Sequence, residues 1–169
     1  AAHYAIAELE QDWNVTVVTQ NVDNLHERAG STRIVHLHGE LTKVRPENSF
    51  NDSDGYSEEK VFNIGYESIH IGDKAPNGAQ LRPHIVWFGE AVPQIVQAID
   101  AVEAADVLLI VGTSLQVYPA AGLYAYAKAV TPIYIIDPAD VPLKDGRLTH
   151  IKEVATRGME TFKNILKSK

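Results

Sequence analysis

Five consecutive apolar residues, Val107-Leu108-Leu109-Ile110-Val111, narrow the choice of architecture more than any other stretch of the chain. A strand without polar alternation has no face to give to water. It must be covered on both sides, which is the situation of a strand in a parallel sheet flanked by helices. Ile133-Tyr134-Ile135-Ile136 repeats the pattern and is ended by Asp137-Pro138. Helical segments lie around these strands. Residues 1–11 place Ala2, Ile6 and Leu9 on one face, and residues 93–105 carry a stripe of Ile95, Ile99 and Val102 behind Pro93, a residue suited to a first turn. Residues 120–129 are rich in Ala and Tyr, and Met159–Leu166 is expected to form a terminal helix. A further strand is expected at His84–Phe88, a loop at Asp140–His150, and a short last strand at Ile151. Strands alternating with helices predict an α/β fold with a parallel sheet and helices on both faces.

The stretch from Val15 to Glu40 adds chemistry to this frame. Val15, Val17 and Val18, with Thr16 and Thr19, suit a strand. The apolar run then stops at Gln20-Asn21-Val22-Asp23-Asn24. Three amides and a carboxylate are costly to bury without partners. They belong at a strand's carboxyl end, where open α/β sheets bind ligands. Asn24–Ala29 is expected to be a short helix, with Asn24 at its N-cap and Gly30 as terminator. A second strand, Ile34–Leu37, leads to His38-Gly39. An imidazole titrates near neutrality and suits general-base work, although a single histidine at a strand end is more often just a hydrogen-bonded group. Gly39 allows a sharp turn or a close approach. Gly112-Thr113-Ser114 closes the apolar strand with backbone amides and hydroxyls suited to phosphate or ribose, a weak signal on its own.

Residues 45–80 differ in character. Pro, Asn, Ser, Asp and Gly crowd them, predicting an irregular insertion with a helical turn at 57–62 and short strands around 66–71. The chain of 169 residues contains no cysteine, which excludes disulfides, thiolate catalysis and cysteine-ligated zinc within it. His70 is the only nitrogen ligand of the insertion, so no metal site is expected there. The formal net charge of −7 argues against nucleic acid or an anionic membrane as the main partner, and suits a basic, lysine-bearing protein as readily as it suits simple solubility. No stretch reaches the ~20 apolar residues of a membrane span, and no basic-then-apolar leader opens the sequence. A cytoplasmic location is the expectation.

Four stretches together carry a family resemblance. They are Thr19-Gln20-Asn21-Val22-Asp23-Asn24-Leu25-His26, His36-Leu37-His38-Gly39, Leu81-Arg82-Pro83-His84-Ile85-Val86-Trp87-Phe88-Gly89-Glu90, and Gly112-Thr113-Ser114-Leu115 with Pro119. In this order they resemble the signature of the sirtuins, NAD-dependent protein-lysine deacylases. The resemblance implies a Rossmann-like domain in two parts, 1–44 and 81–169, around a small insertion at 45–80. It implies NAD as cofactor and acyl-lysine proteins as substrates. It assigns His38 as general base and Asn21 to the ribose or a catalytic water. Gln20 goes to the nicotinamide ribose and Asp23 to the carboxamide. Gly112, Thr113 and Ser114 contact the cofactor, Asp137 stands where the family commonly has an asparagine on the adenosine ribose, and Ala155 approaches the adenine. Val86, Trp87, Phe88, Gly89 and Glu90 correspond to the acyl-lysine tunnel and the backbone that pairs with substrate. In this scheme the acyl-lysine oxygen displaces nicotinamide, and His38 then assists deprotonation of a ribose hydroxyl. His36 is read as structural.

Two departures from the family pattern stand out. The cysteine pairs of the family's small zinc module are absent, so the insertion is expected to be held by packing and loop hydrogen bonds without zinc. The strand and glycine-rich phosphate loop that open a sirtuin are expected upstream of Ala1. Leu81-Arg82-Pro83 with Trp87 is most similar to the bacterial branch that includes desuccinylases, leaving acetyl and succinyl both open. A non-catalytic ADP-ribose- or NAD-binding module and a mono-ADP-ribosyltransferase are the alternatives.

Overall fold

The computed structural model describes residues 1–47 and 60–168. The chain opens with α1 (Ala2–Glu8), prolonged by a 3-10 turn at Leu9–Gln11. β1 (Val17–Thr19), α2 (Leu25–Ala29) and β2 (Ile34–His36) follow as a crossover unit. The two strands run parallel with Val17 opposite Ile34 and Thr19 opposite His36. Gly30 ends α2 in the left-handed region at φ +103°, as its place after the helix foretold. The start of α2 differs from expectation. Asn24 occupies the N-cap position without capping, and the Asp23 carboxylate instead accepts the Leu25 N–H at 3.0 Å.

Next comes a small antiparallel sheet of β3 (Gly39–Pro46), β4 (Phe62–Asn63) and β5 (Leu81–Ile85), in the order β4-β3-β5. Nothing in the sequence marked β3 as a strand. The reason is a register shift between Glu40 and Val44, which breaks the two-residue alternation. Leu41 is thereby left 54% exposed while Arg45 is only 1% exposed, so the hydrophobic pattern points the wrong way. The strand expected at His84–Phe88 lies at Leu81–Ile85. Pairing with β3 ends where Gly39 meets Ile85, and the apolar residues beyond run into a turn closed by the Glu90 N–H on the Trp87 carbonyl at 3.0 Å. The strands expected around 66–71 do not form, and a single bridge between Lys74 and Gln80 closes that region. Of the helical turn expected at 57–62, residues 57–59 lie outside the described residues, and 62–63 belong to β4.

The second parallel sheet contains β6 (Leu108–Val111), β7 (Ile133–Ile136) and β8 (Leu148–Ile151) in that order. α3 (Ile95–Ala104) precedes it and α4 (Ala155–Lys167) closes the chain. The helix expected at 120–129 is a 3-10 helix over Ala120–Tyr126, with three-residue bonds such as Gly122 N–H to Pro119 O and Ala127 N–H to Tyr124 O. β8 starts inside the segment expected to be loop, and α4 begins before Met159, at Ala155.

Helices cover both faces. Ala98 and Val102 of α3 pack with Ala120 and Leu123 against Val18, Val35, Leu37 and Leu108, so one helical layer spans both parallel sheets. On the other face Met159, Phe162 and Leu166 of α4, with Ala2 and Ile6 of α1, pack on Tyr134, Ile136 and Leu109. β7 is buried along its whole length, meeting the condition its apolar sequence set. β6 is only half-buried, because among the described residues it has a strand on one side alone. Among the described residues no helix is long and apolar enough to cross a membrane.

Two predictions follow from this packing. A Cβ on Gly158 would lie 2.3 Å from Ile136 Cγ2, because α4 sits directly on β7 there. Gly158→Ala should destabilise the fold by about 1–3 kcal/mol in chemical denaturation, and an unchanged midpoint would refute the close approach. His26 of α2 is buried and stacks edge-on against His3 of α1 at 4.6 Å. Burial first and the His3 charge second hold its imidazole below the ordinary histidine range, and His36 adds to this, against the pull of Glu27 and Asp23. The unfolded chain therefore takes up this proton before the folded one, and stability falls as pH drops below the ordinary 6.5. Denaturation curves at about pH 7.5 and about pH 5.5 should show that loss, and His26→Gln should reduce it. An equal loss in the variant would contradict the assignment.

Candidate active site

The site is built where the carboxyl ends of the two parallel sheets converge. β1 ends at Thr19, whose Oγ1 accepts the Asn21 N–H at 3.1 Å and starts the turn through Gln20–Asp23. The turn is tied down at its far side by the Leu41 N–H on the Val22 carbonyl, 2.8 Å. From this turn the Gln20 amide reaches across and donates to Thr113 Oγ1 at 3.3 Å, just past β6. Gln20 and Thr113 are 93 positions apart in the chain. Thr113 Oγ1 also accepts the Leu115 N–H at 3.3 Å, and Gly112 turns the chain with φ +60° and open space where a side chain would be. Gly112 and Ser114 are exposed.

His38 stands beside this bridge. The β1–β2 ladder extends one step through the Leu37 N–H on the Thr19 carbonyl, and buried Leu37 anchors the end of the strand. His38 Nδ1 lies 3.1 Å from the Gln20 carbonyl oxygen. A carbonyl only accepts, so Nδ1 is the donor, and in the neutral tautomer this selects, the lone pair lies on Nε2. Gly39 follows at φ +80°, and a Cβ there would sit 1.9 Å from the His84 carbonyl oxygen. Only glycine lets β5 come this close. The next step of that approach is the Val86 N–H on the His38 carbonyl, 2.9 Å, which sets Val86 next to the histidine.

The remaining expected residues fall into two groups. Asp137 and Ala155 follow β7 and β8, one and two strands beyond Thr113 on the same rim. Asp137 Oδ1 accepts the Ala139 N–H at 2.8 Å, and its carbonyl lies 2.9 Å from His150 Nε2. Val86, Trp87, Phe88, Gly89 and Glu90 form the turn after β5. Trp87 and Phe88 are 59% and 98% exposed, so the aromatic pair is not core. Glu90 points back into the turn. Its carboxylate accepts the Trp87 N–H at 2.9 Å and pairs with Arg82 at 2.6 Å and Arg45 at 3.2 Å. Burial pushes this carboxyl up, but the Arg82 hydrogen bond, the Trp87 amide and the two arginine charges outweigh that and hold it below the ordinary range.

His36, read as structural, is buried and bonds Glu27 through Nε2 at 2.7 Å. Glu27, His36 and Glu40 bring ligand-type atoms within 4.8 Å of one another, but Glu27 is hydrogen-bonded to His36 and Glu40 is paired with Lys43 at 2.5 Å. Sequence reasoning missed Tyr66, whose hydroxyl accepts from the Asn24 amide at 2.9 Å and ties the insertion to the loop after β1. It also missed Arg45 and Arg82 as partners of Glu90. Tyr66 lies in irregular sequence and Arg45 in an unmarked strand, so no periodicity pointed to either.

An imidazole with a free Nε2, two amides, a carboxylate and hydroxyls on one rim can orient a sugar and remove a proton from it. Comparison with known proteins shows the family of the chain. Residues 1–119 match the Sir2 family. The chain is 51% identical over 167 residues to the NAD-dependent protein deacylase of Bacteroides thetaiotaomicron, covering 97% of this chain and 69% of that protein. It is 56% identical over 140 residues to the NAD-dependent protein deacylase of Helicobacter pylori strain 26695, covering 81% of this chain and 56% of that one. The fold superposes on the crystal structure of a Sir2 homologue–NAD complex with a TM-score of 0.79 at 36% identity, over 99% of this chain and 64% of the other. The chain thus spans between 56% and 69% of the length of these relatives. On sequence and fold together, it belongs to the Sir2 family.

Proposed function

We propose that this protein removes acyl groups, acetyl or succinyl, from protein lysines at the expense of NAD, giving nicotinamide and O-acyl-ADP-ribose. The observation that carries this reading is His38, whose Nδ1 is committed to the Gln20 carbonyl and whose Nε2 is left to accept a proton beside the Gln20–Thr113 bridge. The names of the relatives, NAD-dependent protein deacylases, support it.

The residues of the rim fit the sugar and carboxamide parts of a dinucleotide. Gln20 and Asn21 offer amides to ribose hydroxyls or a water, and Asp23 offers a carboxylate to carboxamide N–H groups. Thr113 and Ser114 offer hydroxyls, and Gly112 leaves its backbone open. Asp137 can accept from a ribose hydroxyl, and Ala155, at the start of α4, gives the adenine a small neighbour. NAD, when bound, supplies a sugar carbon bearing nicotinamide as leaving group. His38 Nε2 accepts the proton of a sugar hydroxyl, with its ring held by the Gln20 carbonyl. Val86, Trp87, Phe88 and Gly89 receive the acyl-lysine, and the extended peptide adds alongside this segment by backbone pairing. Lysine-bearing proteins, rather than nucleic acid or membrane, are the partners this acidic chain suits, and the cytoplasm is the proposed compartment.

The insertion is proposed to work without zinc. The chain has no cysteine, and hydrogen bonds cross-link the described part of the insertion. Gln80 Oε1 accepts the Gly72 N–H at 2.8 Å, its amide donates to the His70 and Leu81 carbonyls, and Asp73 accepts the His70 N–H at 2.7 Å.

Two measurements test these readings. His38→Ala should lower acyl removal by about 10²-fold or more while leaving the fold intact by circular dichroism, and a folded variant with full activity would overturn the base assignment. Elemental analysis of protein purified without added metal should find far less than one zinc per chain. A stoichiometric value would contradict the zinc-free insertion.

A further inference from the structure

We propose that the Arg45–Glu90–Arg82 cluster is a positioning device for the substrate side of the site, and that Glu90 acts through the Trp87 backbone rather than by touching the acyl-lysine. The proposal rests on the deacylase reading and on the place of residues 86–89 in it.

Three observations carry it. First, the Glu90 carboxylate is committed on every side. One oxygen takes Arg82 at 2.6 Å, and the other takes Arg45 at 3.2 Å and the Trp87 N–H at 2.9 Å. Second, both arginines also reach the Ile85 carbonyl at 3.4 Å, so the cluster fixes the start of the turn as well as its middle. Third, the Arg82 guanidinium lies 4.5 Å from the centroid of the Trp87 ring, which sets the aromatic face as well as its backbone. Arg45 is 1% exposed and Arg82 18%, whereas Trp87 and Phe88 stand in solvent. A buried charged frame therefore supports an exposed aromatic turn.

Among the described residues, the turn beyond Val86 is closed by the Glu90 N–H on Trp87 O and by the Glu90 carboxylate on the Trp87 N–H. Val86 is pinned on its other side to the His38 carbonyl. The frame thereby links the peptide-facing turn to the catalytic histidine through one residue. Loosening it should displace the acyl-lysine relative to His38 and leave the Gln20–Thr113 rim in place, and a small misplacement of a substrate has large kinetic consequences.

The test uses the protein with every tryptophan except Trp87 replaced by Phe, Trp13 being the other one in this sequence. Glu90→Gln should raise KM for an acyl-lysine peptide by about tenfold or more, keep KM for NAD within about twofold, and shift and broaden Trp87 emission. If the buried arginines prevent that variant from folding, Arg82→Lys decides. It keeps the charge, loses the forked geometry, and should move the peptide KM and the Trp87 emission in the same direction by a smaller factor. A folded variant with peptide KM and Trp87 emission unchanged overturns the proposal, and so does an equal rise in both KM values, which would mean general loosening. If the parent protein turns over no acyl peptide, the deacylase reading fails by itself. Unchanged Trp87 emission in the variants would then separately refute the frame.

Discussion

Everything near the site depends on the approach of β5 to Gly39. There the parallel β1–β2 pair gives way to the antiparallel β3–β5 pair within two residues. The His84 carbonyl occupies the space a Cβ would need, and one step later the Val86 N–H takes the His38 carbonyl. His38 is thus held by its ring to the Gln20 carbonyl and by its backbone to Val86, at the start of the turn after β5. A side chain at position 39 would have to push β5 away, and with it the Val86–His38 link to the turn carrying Trp87 and Phe88.

The same junction explains why a short insertion matters. β3 is both the continuation of the His38 segment and the central strand of the small sheet. Arg45, near its end, is buried against the turn after β5. Tyr66 connects the insertion back to Asn24 in the loop after β1. The insertion therefore touches the polar loop after β1 and the turn after β5 at once. Hydrogen bonds such as those of Gln80 cross-link its described part.

Much of the frame was legible because hydrophobic burial wrote it. The apolar runs at 107–111 and 133–136 gave β6 and β7, and Gly30 gave the end of α2. The polar break after Thr19 marked the rim, and the residues Gln20 and Thr113, far apart in the chain, do meet there. What stayed hidden was set by tertiary context. A register shift inverted the pattern of β3, exposing Leu41 and burying Arg45. The apolar look of Val86-Trp87-Phe88 suggested a strand, whereas the partner strand simply ends at Gly39. Asp23 displaced Asn24 as the group that meets the first amide of α2, since Asn24 is engaged by Tyr66. Glu90 was expected in the substrate segment, and its two arginine partners stayed hidden because they come from different strands.

The central claim is that the rim around His38 couples nicotinamide release to acyl transfer. The most direct measurement is the nicotinamide released per acyl group removed, with NAD and an acyl-lysine peptide together, and mass spectrometry of the nucleotide product. The account predicts equal amounts, with the acyl group recovered on ADP-ribose. NAD or ADP-ribose binding without nicotinamide release in the presence of peptide would contradict it, as would nicotinamide release that leaves ADP-ribose attached to protein.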